Sequence, residues 1–200
     1  MNILTHASKG PGRPRDEEVR KRILNSAAQL LEDLCFEDIT VDAIAEASGA
    51  GKATIYRWWP NKAAVLIEAF RERIAQELPF PDSGDFRNDI RQLLQNFTEI
   101  IYKGRRGKVF RAFISGAQAD PEIAKAFREI WIRPRRAEAK KLFERLIAEG
   151  IADAGLDPDF AVELIFSPLY YRLLTGWGEI TPEYLDQLVD TALKGYLARK

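Results

Sequence analysis

The sequence predicts an all-α fold: an N-terminal three-helix unit with a helix-turn-helix, joined to a larger C-terminal helical bundle, about nine helices in all. Three observations predict it. Apolar residues return at intervals of three and four, as in Val19, Ile23, Ala27, Leu30, Leu31 and Leu34, which puts them on one face of a helix. No stretch sustains the period-two alternation of a half-buried strand. Glycine, proline and capping residues punctuate the apolar runs at helix-length intervals.

Taken in order, residues 1–16 form a basic arm broken by Gly10, Pro11, Gly12 and Pro14. Asp16 is placed to cap the first helix, which ends near Cys35 or Phe36. Thr40 caps a second, short helix whose inner face carries Val41, Ile44 and Ala45. Ser48-Gly49 breaks it, because glycine accepts the left-handed conformation that closes a helix. A third helix starts at Gly51 or Lys52 and runs through Trp59 to Pro60, and Asn61 caps a fourth reaching about Leu78. Phe80 to Asp85, with Pro81, Ser83 and Gly84, marks the boundary between a unit at 17–77 and one at 78–200. Further helices are expected at about 85–103, 107–118, 121–151, 157–175 and 182–198. Pro134 sits inside the longest of these and makes it kinked or double.

Composition excludes several functions. The chain has one cysteine, Cys35, and one histidine, His6, so neither a disulfide nor a metal cluster is expected, and no cofactor. Cys35 reads as a buried small hydrophobe between Leu34 and Phe36. No nucleophile–base pair or glycine-rich phosphate loop suggests an enzyme. Without a long apolar run or signal peptide, a soluble cytoplasmic protein is the expectation, with no membrane partner. Net charge is zero, with 30 basic and 30 acidic residues, but the distribution is uneven. Residues 1–15 carry Lys9, Arg13 and Arg15 without an acid, and residues 47–62 carry Lys52, Arg57 and Lys62 without an acid. Such local excess can build a basic surface on a neutral protein.

The two short helices around Ser48-Gly49 are the candidate helix-turn-helix, at about 40–60. If Ile44, Ala45, Ala50, Ile55 and Trp59 bury between them, then Lys52, Thr54, Tyr56, Arg57 and Trp58 stay outside, with Thr54 and Trp58 near the edge. A helix so equipped suits the DNA major groove. Lys52 and Arg57 can donate to guanine or phosphate, and the hydroxyls of Thr54 and Tyr56 to phosphate. Thr40 and Lys62, each at a helix start, are further phosphate candidates. Arg13 and Arg15 in the arm suit a narrow minor groove.

These residues resemble the DNA-binding domain of the TetR family of bacterial transcriptional regulators. The resemblance spans residues 17–77. It rests on Ile23-Leu24-x-x-Ala27-Ala28-x-Leu30, on Ile39-Thr40-Val41-x-x-Ile44-Ala45, and above all on the run from Lys52 through Thr54-Ile55-Tyr56 to Asn61-Lys62. Gly51 departs from the family's frequent Ser or Thr, and Trp58 from its common His or Tyr. The resemblance implies a regulator, in most cases a repressor, that binds a palindromic DNA operator as a homodimer and responds to a small-molecule effector. A regulator without an effector, an activator, or a helical protein-interaction module are the alternatives.

The C-terminal half carries wide apolar faces. Leu164 and Tyr171 on one helix, and Leu185, Leu188, Val189, Ala192 and Tyr196 on the last, are the candidate dimer interface. Two half-sites bind DNA more tightly than one short helix can. The resemblance implies a four-helix dimer bundle. Phe110, Phe113, Phe127, Trp131 and Tyr170, on the central helices, are the candidate lining of a pocket for an apolar or aromatic effector.

Overall fold

Helix-forming periodicity dominates the chain, and the computed structural model describes residues 13–78 and 80–196 accordingly; the side chains of residues 13–16, 76, 77 and 196 lie outside the described set. Ten α-helices follow one another: α1 (Arg13–Asp33), α2 (Val41–Ser48), α3 (Lys52–Trp58), α4 (Lys62–Glu77), α5 (Phe86–Tyr102), α6 (Gly104–Ala119), α7 (Pro121–Ala126), α8 (Arg133–Ala148), α9 (Pro158–Thr175) and α10 (Pro182–Tyr196). A π-helical segment, Phe127–Ile132, joins α7 to α8 without a break. Counting that rod once gives nine continuous helices, as expected, and no strand occurs among the described residues.

Capping residues set most of the starts. Thr40, Asn61, Asp85, Asp120 and Asp157 each accept a backbone N–H of the helix they open. Gly49 and Gly176 close α2 and α9 with φ of 65° and 69°, a region where a Cβ is strained. Two starts differ from expectation. The first helix begins at Arg13, so Asp16 lies inside its first turn instead of capping it; Pro14 is tolerated there because first-turn N–H groups have no helical partner. Helix α6 begins at Gly104, three residues early, because it follows α5 almost directly. At Gly107 a Cβ would lie 2.8 Å from the backbone of Ile101 and Tyr102. Only a glycine permits that tight return.

The π segment explains the proline expected to kink the long helix. Pro134 has no N–H, and its ring crowds the carbonyl four residues back. Directly before it the backbone switches to five-residue spacing, with the Arg133 N–H bonded to the Arg128 carbonyl. The widened turn absorbs the proline without ending the rod.

One apolar cluster runs from α1 to α10, across the expected boundary near residue 78. Helix α4 is the reason. Ala63 to Ile67, Ala69, Phe70 and Ile74 are all buried, so its first turns are apolar on every side and it serves as a central helix. It packs on α1 on one side and on α7 and the π segment on the other. Cys35 is exposed, contrary to expectation. Helix α1 ends at Asp33, and the chain then turns so that Phe36 and Ile39 fill the core instead.

Asp89 is a fully buried carboxylate in the first turn of α5. It accepts from the Ser83 backbone N–H at 2.9 Å, the Ser83 hydroxyl at 2.6 Å and Arg145 at 3.2 Å. Burial alone pushes its pKa up, but these donors outweigh burial and hold it below the ordinary carboxylate value. The cluster pins the 80–85 loop to α5 and α8. Asp89→Ala leaves its donors unmatched and is expected to cost about 2–4 kcal/mol, a fall of roughly 5–15 °C in Tm. Since folding lowers this pKa, the difference from wild type is full at neutral pH. It fades as the pH drops through the folded value. Thermal unfolding followed across pH checks both.

Candidate nucleic-acid interface and ligand cavity

The turn between α2 and α3 sets the geometry of the first site. Ser48 is buried and donates to the Ile44 carbonyl at 2.7 Å, while its oxygen accepts the Ala50 N–H at 3.3 Å. Ile44, Ile55 and Trp59 are buried between the helices, and Ala45 and Ala50 half-buried, as the apolar spacing predicts. Helix α3 therefore turns Lys52, Tyr56, Arg57 and Trp58 outward, with Thr54 half-buried at the edge. Tyr56 is 53% exposed and Trp58 38%.

A shallow depression brings Thr40, Lys52, Tyr56 and Lys62 together from three helix starts. Thr40 uses an oxygen lone pair on the Ala43 N–H at 3.1 Å, which leaves its hydroxyl proton free to donate outward. Lys52 forms an exposed ion pair with Asp42, weak enough in water for a phosphate to replace it. Gly51 supplies no side-chain cap to α3, as its residue type dictates.

Lys62 has a different job from the one expected. Its ammonium donates to the carbonyls of Phe36, Glu37 and Ile39 at 3.0, 2.9 and 2.8 Å. All three of its N–H donors are thus engaged, and it ties the start of α4 to the chain leaving α1. The side chains of Arg13 and Arg15 lie outside the described residues, though both belong to α1 rather than to an arm.

A network behind α3 escaped the sequence reading. Glu68 on α4 accepts from the Trp59 indole N–H and from Arg20 of α1, which also reaches Glu72 at 3.1 Å. Burial lowers the pKa of the Arg20 guanidinium, but its carboxylate partners raise it further, to above its ordinary value. Arg20 also lies 6.0 Å from the Trp58 ring. Glu68 and Glu72 are four apart on one helical face. That spacing was a visible signal, but its partner forty-eight residues away was not.

The second site is a cavity of about 170 Å³ between α5, the π segment, α8, α9 and the loop at Phe80. Of the five expected lining residues, Trp131 and Tyr170 line it. Phe110, Phe113 and Phe127 do not. They are packed core: Phe110 meets Phe70, Phe97, Phe127, Trp131 and Tyr170 at ring distances of 5.3–6.4 Å, and Phe113 meets Phe36 and Phe70. Phe110 and Phe113 lie on the buried face of α6, so their rings back the wall and do not face the space. The sequence reading missed Phe80, Phe97, Phe166, Arg135 and Arg136, which do face it. Burial pushes the Tyr170 phenol up to about 12, against a hydrogen bond with Trp131 and the nearby Arg135 and Arg136 charges.

On the candidate dimer face, Leu164 and Tyr171 are exposed on α9. Leu185 and Val189 are not: both are buried against the protein's own core, because α10 turns that edge onto α5 and α9. Leu188 and Ala192 are half-buried, and the Tyr196 side chain lies outside the described residues. The exposed stripe also includes Phe160 and Leu174 of the same apolar helix, and Trp177 beyond it.

A helix-turn-helix with an outward polar, basic face, carried on a larger helical bundle, defines a DNA-binding transcriptional regulator. The profile described as "Bacterial regulatory proteins, tetR family" matches residues 23–69, and that described as "Tetracyclin repressor-like, C-terminal domain" matches residues 80–192. The chain belongs to the TetR family. It is 40% identical over 187 residues to the uncharacterized HTH-type transcriptional regulator YdeS of Bacillus subtilis, covering 94% of each chain. It is 25% identical to the HTH-type transcriptional regulator AqdR of Rhodococcus erythropolis, covering 90% of this chain and 86% of that one. Among solved structures, the TetR family transcription regulator SCO0332 superposes with a TM-score of 0.82 at 29% identity, covering 89% of this chain and 98% of that one. The flavonoid-responsive regulator FrrA gives 0.63 at 25% identity, covering 92% and 100%. Proteins of this family are transcriptional regulators, not enzymes. No helix among the described residues is long and apolar enough to cross a membrane.

Lys62→Met removes three hydrogen bonds to carbonyls and is expected to cost about 2 kcal/mol, a fall in Tm of roughly 4–8 °C. Lys52→Met, which loses only an exposed pair, should stay within about 2 °C of wild type. Thermal unfolding of the two variants side by side checks the structural role given to Lys62.

Proposed function

We propose that the protein is a cytoplasmic repressor that binds a palindromic operator as a homodimer and is released by a small, largely apolar effector. The observation that carries the DNA-binding part is the grouping of Thr40, Lys52 and Tyr56 in one exposed depression at the recognition helix. Lys52 and Arg57 supply charge and donors for guanine or phosphate, and Thr40, Thr54 and Tyr56 supply hydroxyls for the backbone. Trp58, exposed on α3 and 6.0 Å from Arg20, offers an indole N–H to phosphate. Arg13 and Arg15, at the start of α1, are proposed for the adjacent minor groove. The units proposed for these tasks are residues 17–77 for DNA and 78–200 for dimerisation and sensing.

Dimerisation is supported by the α9 stripe. Phe160, Leu164, Tyr171 and Leu174 stand at spacings of four, seven and three, which places them on one helical face. All are exposed, as is Trp177 beyond the helix, at 71%. Burying such a stripe against its own symmetry copy yields a two-fold interface, and two-fold symmetry is what a palindrome demands. Leu188 and Ala192 of α10 flank it; Leu185 and Val189 serve the monomer core.

Release by an effector is supported by contact between cavity and α4. Trp131 lines the cavity and packs 5.5 Å from Phe70 of α4, the helix whose Glu68 holds the recognition helix through Trp59. A ligand that binds more tightly when α4 is shifted lowers operator affinity by that difference and no more. The relative KstR of Rhodococcus jostii is named a repressor and FrrA is named flavonoid-responsive, which supports repression and a small aromatic effector.

Selection of bound DNA from a random pool is expected to return a palindrome. On that operator, Lys52→Ala with Tyr56→Ala should abolish specific binding while leaving the circular dichroism spectrum unchanged. Lys52→Ala alone, which removes one cation from each half-site, should flatten the slope of log affinity against log salt by about two units. Unchanged operator affinity in the double variant would sink the assigned reading face. Leu164→Glu with Tyr171→Glu should give a monomer in analytical ultracentrifugation and weaken operator binding by more than about 100-fold, the scale of lost bivalency. A dimer that persists would place the interface elsewhere.

A further inference from the structure

We propose that the cavity takes an organic anion, a compact aromatic monocarboxylate whose charge pairs with Arg135. This rests on the reading of the cavity as the effector site and adds the chemical class of the effector.

The starting point is a mismatch among the charges of α8. Arg133 pairs with Glu129, Arg136 with Glu163, Lys140 with Asp159, Lys141 with Glu138, and Arg145 with Asp82 and Asp89. Arg135 is the exception. It is half-buried, and among the described residues no carboxylate pairs with it and no oxygen accepts its donors. Its guanidinium carbon lies 4.9 Å from the Phe80 ring centroid and 5.1 Å from that of Trp131. Ring faces attract a cation but offer no oxygen, and since no buried side-chain nitrogen or oxygen among the described residues lacks a partner, the N–H donors that no protein oxygen meets are open to solvent and to an incoming ligand. Burial pulls the guanidinium down to about 10. A charge desolvated without a counterion is costly, so a carboxylate arriving at this point gains a charge-assisted, two-pronged partner.

The rest of the cavity selects the remainder of the ligand. Phe97, Val162 and Phe166 offer apolar walls for a ring to stack on or meet edge-on. Arg135, Arg136 and Glu163 all line the space, two cations against one anion, a balance of one positive charge that matches a monoanion and disfavours a dianion. The volume of about 170 Å³ is close to the roughly 150 Å³ in which an apolar cavity accepts benzene. One ring plus a carboxylate is therefore the ligand size that the enclosed part of the space matches.

The test uses the full-length protein and three acids, benzoate, phenylacetate and cinnamate, each beside its primary amide. Binding is read by calorimetry and by Trp131 fluorescence, and DNA release by anisotropy of a labelled selected operator. At least one acid is expected to bind at least about tenfold more tightly than its amide, a discrimination typical of a site built for one polar group. Arg135→Met should erase that preference while leaving amide affinity within twofold or so, and Arg135→Lys should retain part of it. Should Arg135→Met fail to fold, the acid–amide comparison in wild type and Arg135→Lys still decides. Equal binding of acids and amides, or no binding of any of the six compounds, overturns the proposal. Amides that bind equally well and release DNA would overturn the anion preference yet leave the effector reading standing. Acid binding that depends on Arg135 but does not release DNA would keep the anion site and overturn the effector reading.

Discussion

The carboxylate of Glu68 is the point on which the arrangement of this protein turns. It receives the Trp59 indole from the end of the recognition helix and the Arg20 guanidinium from α1. Trp59 is buried, and a buried indole N–H without an acceptor costs the full desolvation of that donor. Recognition helix and α4 are therefore locked by a polar bond inside an apolar contact. Lys62 adds a second tie, from the start of α4 to the chain between α1 and α2, through the carbonyls of Phe36, Glu37 and Ile39. Where α4 goes, the reading face must follow.

Two residues beyond Glu68, Phe70 enters the aromatic core of the larger unit, against Phe110, Phe113 and Trp131. Close-packed rings of this kind transmit displacement because they have little free volume to absorb it. The π segment sits at the same place. Its widened turn, forced by Pro134, carries Trp131 inward to both the cavity and α4. A regular α-helix through this stretch would rotate Trp131 relative to Arg135, since the extra residue per turn changes the angle between them. The local answer to a missing backbone donor thus shapes the cavity.

Polar burial divides into two kinds in this molecule. Asp89 is buried with its donors, and its pKa lies below the ordinary value. Arg135 is half-buried without an acceptor among the described residues, and its pKa is lowered. The first pattern stabilises the fold and ties the 80–85 loop to α5 and α8. The second leaves a cation with open donors beside the cavity, and perturbed charged groups of that kind cluster at binding sites.

The helical class, the helix-turn-helix and its outward face were legible because periodicity, caps and the Ser48-Gly49 break are local signals. Thr40, Asn61 and Gly49 acted as their residue types dictate. What the sequence could not show was which apolar side chain meets which. Phe110 and Tyr170 are both aromatic residues on central helices, yet one is sealed in the core and the other lines a cavity. Leu185 and Val189 lie on the same apolar helix face as Leu188, but helix packing buries only the first two. Cys35 stood in an apolar run, and the end of α1 turned it outward. Lys62 was placed correctly at a helix start, but its three acceptors came from residues far back in the chain. Sequence by itself determined the secondary structure, the family and the reading helix, because these depend on neighbours three or four residues apart. The tertiary structure alone decided the cavity, the Glu68 lock and the unpaired Arg135, because each depends on helices brought together from distant parts of the chain.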